Sequence, residues 1–545
     1  MTSAAPPHDY APHERPTFPG SPYTPAHTPG RRLGYAAMGL AAGLCCTLGN
    51  GLVNVNLANL SGSLGLYVVQ ASLLPAVYVA FNASANLMLV KARAQFGIPL
   101  ITQGLLVVYA LAALLAIVLP GFVTAVIVRA ACGMAAAALI TFGIYNWMQI
   151  LPPRMRPLAL VLGIGLPQLA LPIARLFPVE ILALSHWRGL YLAELSIALG
   201  MLAASLALPL PPSDRGKAFE ALDVLTYGLA LGAMLLLCGA LGVGRLLWWT
   251  DTPVLGWALA GAIVLSTTAL LVEQGRARPL LQLHWLSSLD ILRFAGVALL
   301  VRLALAEQTY GAVGLLTAGG LNNDQLRVLF AIVAGAMTFG LVAAVLTLSE
   351  RRLPYQVLAA ALIIALGAAI DTGATNLTRP PQLYLSQALI GFGTTLFVGP
   401  ALIYGFLRMF QRGADHLVSF VVLFSTTQNV GGLLGSALLG TYQVAAARFH
   451  ASALSDHLVA ADPLVVARLQ AGAASLGGAI NDPVLRSAQG AALLSQAMTR
   501  EASILAYNDV FRLIAALALG TAAYVGYLIA IHTLKRGGQT GEANA

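Results

Sequence analysis

Charge is what this 545-residue chain has least of: Asp, Glu, Lys and Arg make up 9% of it, against about 25% in ordinary soluble domains. That scarcity excludes a sizeable water-facing domain. Cysteine is also sparse. Cys45, Cys46, Cys132 and Cys238 all sit in apolar runs without metal-ligand spacing, so neither a disulfide framework nor a zinc site is indicated, and small hydrophobes in helix packing are expected. No Walker loop, HExxH, GxSxG or Cys/His ligand set occurs, which leaves no sign of an enzyme or of a bound cofactor. Residues 1–30 lack the apolar segment of a signal peptide. They are polar, hold eight prolines and scatter His8, His13 and His27 too widely for a metal site, and they read as a disordered tail.

Long apolar runs dominate what is present. Hydrophobic residues are 58% of the chain and the mean hydropathy is +0.80. A membrane-crossing helix needs about 20 predominantly apolar residues, and such runs fall near 33–57, 66–90, 98–118, 122–148, 158–178, 187–208, 221–241, 253–272, 293–317, 325–347, 355–371, 383–407, 417–440 and 510–533. The pattern predicts an all-α polytopic membrane protein of about fourteen transmembrane helices. The net charge of +9 does not point to nucleic acid, because the cations are not massed on one segment. Pairs such as Arg31/Arg32, Lys91/Arg93, Arg154/Arg156, Arg276/Arg278 and Lys535/Arg536 recur at alternate loops, which by the positive-inside rule places both termini in the cytoplasm.

One inter-span segment is long, residues 441–509. Asp462-Pro463 and Asp482-Pro483 each set an N-cap acceptor before a proline at the first helical position, so the segment is predicted helical. Its second helix is expected to run into the last span. Mixed apolar and polar faces suit either a rest on the membrane surface or a docking surface for another protein.

Several motifs carry a resemblance. LSQALIGFGTTLFVGPALIYGFL holds Gly391, Gly393 and Pro400, SFVVLFSTTQNVGGLLGSALLGT holds Gly431, Gly432 and Gly435, AYNDVF follows at 506–511, and VRAACGMAAAAL holds Arg129 and Gly133. Together they resemble the twelfth, thirteenth, last and fourth spans of the EmrB/QacA branch of the major facilitator superfamily, the fourteen-span drug:proton antiporters. The resemblance implies a major facilitator fold: a tail over 1–32, a six-helix bundle over 33–208, an inserted two-helix region over 209–290, a second six-helix bundle over 291–533 that includes 441–509 as a periplasmic segment, and a tail over 534–545. It also implies efflux across the inner membrane by alternating access of the two bundles, driven by protons. A periplasmic adaptor and an outer-membrane channel are implied partners, which favours docking as the role of 441–509. Departures from the pattern are equally specific. Gly49 stands where the family has a first-span aspartate, LVKARAQFG lacks the acidic residue of the gate loop, GLPQLALPIARLF keeps Pro167 and Pro172 but places Arg175 near the glycine positions, and Gln428 replaces an arginine.

Ionisable residues inside the spans are the remaining candidates, since a charge near the bilayer centre costs about 2.5–3.5 kcal/mol and normally faces a cavity or a partner. RFAGVALLVRLALAEQTYGAVGLL, residues 293–316, holds Arg302 and Glu307. They lie roughly 14 and 21 Å along the helix from Arg293 and about 140° apart around it, so they do not face each other. Glu307 shares its face with Tyr310, Gly311 and Gly314; burial favours a protonated carboxyl. Glu307 is therefore expected to carry the proton in place of the missing first-span aspartate, with a fixed arginine pair as the alternative. Arg129, Arg175 and Glu194 fall at one depth; a structural Glu194–Arg175 pair is expected, with Arg129 keeping the relay role that the resemblance implies. Asp371, at a span end, is expected to be solvated. Tyr78, Asn82, Asn146, Tyr310 and Gln428 are the expected cavity residues, in an aromatic chamber suited to lipophilic, cationic or weakly acidic compounds. Two alternatives stand beside drug efflux: export of a specific metabolite such as an aromatic acid or siderophore, and a non-transporting receptor or scaffold.

Overall fold

A bilayer offers the backbone no water, so each apolar run must close its hydrogen bonds within itself, and helices result. The computed structural model describes residues 11–12, 14–16, 20–177, 187–276, 279–306, 310–410, 416–459 and 461–542. Thirteen helices among them are long and apolar enough to cross a membrane. The first half supplies α1 (Pro29–Val55), α2 (Val68–Phe96), α3 (Ile98–Val118), α4 (Phe122–Met148), α5 (Pro157–Ala174) and α6 (Arg188–Ala207). An inserted pair follows, α7 (Ala221–Leu247) and α8 (Pro253–Gln274). The second half comprises α9 (Leu289–Ala304), α10 (Arg327–Leu346), α11 (Leu353–Ile370), α12 (Tyr384–Phe410), α13 (Leu417–Asp456) and α14 (Pro483–Glu542).

The ninth crossing, expected over 293–317, includes residues outside the described ones. Its described parts are α9 and a short helix, Ala312–Ala318, and Glu307 lies outside the described residues. Leu305, Ala306 and Tyr310, which lie between these two helices in the chain, line an interior cavity.

The two halves meet along two seams. Helix α2 packs on α13, and α5 packs on α10 and α12. Glycine makes the second seam close: a Cβ at Gly399 would lie 2.6 Å from Val161 Cγ1, so the α12 backbone rests directly on α5. The inserted pair sits beside the first seam, with α7 against both α2 and α13.

Helix α13 has 40 residues, about 60 Å of helix against a hydrocarbon core of about 30 Å. It and the start of α14 therefore project on the face opposite the termini. Asp462 and Asp482 accept from the Leu464 and Val484 backbone N–H at 2.8 and 2.9 Å, starting the Pro463–Ser475 helix and α14 as N-caps. Gly472 meets Gly490 backbone to backbone, 3.3 Å from an added Cβ to the partner Cα, and fixes the pair.

Residues 20–28 are not a loose tail. Ser21 is 5% exposed and its hydroxyl lies 2.9 Å from that of Tyr145. Tyr23 N–H donates to Pro212 O at 2.9 Å, and the His27 ring nitrogen meets Gln149 Oε1 at 2.8 Å. Backbone and hydroxyl groups here find partners on α4, just after it and in the segment that follows α6, which composition alone does not reveal.

A buried charge cluster pins the inserted pair. Lys91 of α2 reaches both Asp223 oxygens at 2.8 Å, and Arg276 reaches Asp223 and Glu273 at 2.7 Å each. Asp223 thus supplies the acid that the loop after α2 lacks. Burial works against the Arg276 charge, but hydrogen bonds to Glu220, Asp223 and Glu273 outweigh it and raise the guanidinium pKa above its ordinary value.

Two outcomes are expected. Gly20→Val sets a branched side chain at φ +75° with its Cβ 2.6 Å from Ala94 Cα, a backbone strain of about 1–3 kcal/mol; limited proteolysis should cut the N-terminal segment faster while the bundle's melting temperature holds. Asp223→Asn strips a buried anion from two cations, a loss of about 3–5 kcal/mol, measurable as a lower melting temperature in detergent.

Candidate functional site

Between the halves lies a cavity of about 630 Å³, within the ~300–1,000 Å³ usual for small-molecule sites. Arg15, Arg93, Arg156, Arg175, Arg245 and Arg302 line it, and no Asp or Glu is among its described lining residues. For four of these arginines the printed contacts are with dipoles and rings. Arg93 donates to Tyr145 OH at 2.7 Å. Arg175 donates to Asn323 Oδ1 at 2.9 Å and stands 4.7 Å over the Phe330 ring. Arg245 donates to Tyr310 OH at 3.1 Å, and Arg302 Nε donates to the Gln428 carbonyl at 2.8 Å. Such contacts orient a guanidinium without cancelling its charge.

The arginines are staggered along the membrane normal because of where their helices end. Arg93 closes α2, and Arg156 sits in the α4–α5 loop, both on the face of the termini. Arg302 lies in the last turn of α9, part-way along the ninth crossing. Arg175 ends α5 and Arg245 ends α7, both on the opposite face.

Of the expected cavity residues, Tyr78, Asn82, Tyr310 and Gln428 do line it. Asn146 does not: it is fully buried and its amide donates to Phe142 O of its own helix at 2.8 Å, while its neighbour Tyr145 takes the lining position. The expected aromatic, weakly charged chamber is instead cationic. Arg93 and Arg156 entered the sequence reading only as topology signals, although each sits within one turn of a span end, where a long side chain can reach inward.

The outer-half charges pair differently from expectation. Arg129 Nη2 bonds Glu194 Oε1, and Tyr109 OH donates to the same oxygen at 3.0 Å. Glu194 has no contact with Arg175, because α6 packs on α3 and α1 while α5 turns toward the second half. An added Cβ at Gly49 would stand 3.1 Å from Glu194 Oε1, so α6 brings a carboxylate to the place where the first span has none. Arg129 and Glu194 are 1% and 0% exposed and neither lines the cavity. Asp371 is also buried, not solvated: it is 2% exposed, Gln387 donates to it at 2.9 Å, and α14 covers its turn.

Removing one member of a buried pair leaves the other charge uncompensated. Glu194→Gln is expected to destabilise the protein by about 3–5 kcal/mol, and a joint Arg129→Met, Glu194→Met replacement to recover most of that, measured by thermal unfolding in detergent.

No family model matches the chain, and no curated protein matches it. Solved structures do. The human organic anion transporter MFSD10 (TETRAN) is 11% identical, with 90% of this chain and 100% of that one covered at a TM-score of 0.51. A mutant of the nucleoside transporter NupG is 12% identical, with 91% and 99% covered at 0.50. A structure from work on substrate recognition in proton dependent oligopeptide transporters is 11% identical, with 91% and 99% covered at 0.52. At these identities the likeness concerns architecture: the chain is an all-helical polytopic membrane protein with the major facilitator fold.

Proposed function

We propose that this protein is a transporter that exports small organic anions by alternating access of its two bundles. The observation that carries the reading is the cavity wall, which presents arginines at three levels and no described carboxylate. In a low-dielectric cleft, charge of one sign concentrates ligands of the other. A lipophilic cation would be repelled there; an acid with an apolar body would meet both the arginines and the lining of Leu305, Met337 and Phe424. Of the sequence-based expectations, export of a specific acidic metabolite fits this wall better than broad drug efflux. The likeness to a structure described as an organic anion transporter is in keeping with it.

Proton coupling is retained as part of the proposal, with Glu307 and Arg129 as its residues. Glu194 joins them, because a carboxylate bonded to Arg129 inside the bundle exchanges a proton only by breaking a charge pair, which ties protonation to helix movement. Inner-membrane placement with both termini cytoplasmic is proposed from the cation pairs on the terminus face. The projecting ends of α13 and α14 are where a periplasmic adaptor leading to an outer-membrane channel would sit.

Proteoliposomes test this directly. Salicylate should be transported and ethidium should not, and an imposed pH gradient should accelerate salicylate flux severalfold. Glu307→Gln is expected to abolish that acceleration. Transport of ethidium with no salicylate flux would reject the anion reading, and gradient-driven flux undiminished in Glu307→Gln would reject that residue as the carrier.

A further inference from the structure

Arg302 is held in an unusual way. Its guanidinium lies along the backbone of α13, where a Cβ at Gly432 would come within 3.0 Å of Nη2 and 3.2 Å of Nε. Glycine at that position is what admits it. Nε is spent on the Gln428 carbonyl at 2.8 Å, which fixes the plane of the group, and the two terminal nitrogens take no protein partner among the described residues. Beside it, the Gln428 side chain is 8% exposed, and its amide oxygen and nitrogen are both buried without a hydrogen-bond partner. Both residues line the cavity. A buried amide with neither atom satisfied is costly and calls for an occupant.

We infer that Arg302 and Gln428 form the carboxylate-binding subsite of the cavity, an assignment that rests on the organic-anion reading above. A carboxylate is planar and accepts at two oxygens. The Arg302 fork offers two parallel N–H donors to it, and the Gln428 amide nitrogen supplies a third to the oxygen on its side. An amine has no acceptor for the fork, and a neutral carboxamide accepts through one oxygen only. The apolar body of the ligand then lies on Phe424 of the same helix and on Leu305, one turn beyond Arg302. The subsite takes a small monocarboxylate with an aryl or alkyl body, and because both donors sit mid-membrane, occupancy from either face uses the same contacts.

Equilibrium binding of radiolabelled salicylate to the purified full-length protein tests the assignment, with salicylamide, phenyl phosphate and ethidium as competitors. Salicylate should bind and salicylamide should not compete. Arg302→Gln and Arg302→Lys should each weaken salicylate binding about tenfold or more, the lysine because it loses the fork, and Gln428→Ala about threefold to tenfold. Arg302→Lys keeps a cation against Gly432 and serves if the glutamine variant does not fold. Salicylate binding that survives the Arg302 and Gln428 changes but falls with Arg175→Gln or Arg245→Gln would overturn the subsite and leave the anion reading standing. Stronger competition by phenyl phosphate would overturn the carboxylate assignment, and absence of salicylate binding in the wild type would overturn both.

Discussion

A charge inside a membrane-spanning bundle needs an opposite charge, a set of dipoles or water, and this chain has too few carboxylates to supply the first to every arginine. The described acids within its spans are already engaged. Glu194 is taken by Arg129, Asp223 and Glu273 by Lys91 and Arg276, and Asp371 by Gln387. What remains for Arg175, Arg245 and Arg302 is an asparagine, a tyrosine and a main-chain carbonyl. Those partners hold the side chains in place and leave the charge facing the cavity, so on the anion-export proposal the placement of a few carboxylates away from the centre sets what the centre accepts.

The same economy separates scaffold from path. The acid-containing clusters lie behind the cavity wall: one locks α4 to α3 and α6, the other locks the inserted pair to α2. Among the described residues, the seams between bundles carry no such locks. Asn86 donates to Ser425 at 2.8 Å across α2 and α13, Arg175 donates to Asn323 across the opposite end, and the rest is small-residue packing such as Gly399 on Val161. Neutral hydrogen bonds contribute about 0.5–1.5 kcal/mol each, whereas one-sided loss of a buried ion pair costs about 3–5 kcal/mol. Strong contacts within each half and weak ones between the halves are what rocking of two rigid bodies requires.

Thirteen of the fourteen expected spans and the helical 441–509 segment were legible because hydropathy over about 20 residues and Asp-Pro caps are local signals. Pairing was not. Glu194 and Arg175 share a depth, but depth in a helix says nothing of azimuth or of which helices are neighbours, and α6 turns out to face α3. The Asn146 assignment failed on the same ground, by one residue and about 100° of helix. Residues 20–28 were misread because composition sees prolines and polar groups, while the partners at Tyr145, Gln149 and Pro212 lie more than 100 positions away. Lys91 and Arg276, expected on one face, do lie together there, joined through Asp223 in one ion cluster.

A cationic path also bears on the energy source. Moving one elementary charge through 100 mV is worth about 2.3 kcal/mol, roughly a fiftyfold concentration ratio. In the proposed orientation, with the terminus face on the negative side, an anion leaving from that face moves down the potential, and one entering moves against it. Export of a monovalent acid therefore has an electrical driving force of its own, and a proton moving inward adds to it. Export of a cation would start from the opposite position and depend on the proton for all of its work. An arginine-lined cavity whose neighbouring carboxylates are mostly tied into structural pairs is consistent with the first case, in which the wall supplies the field that admits the anion and the membrane potential supplies much of the direction.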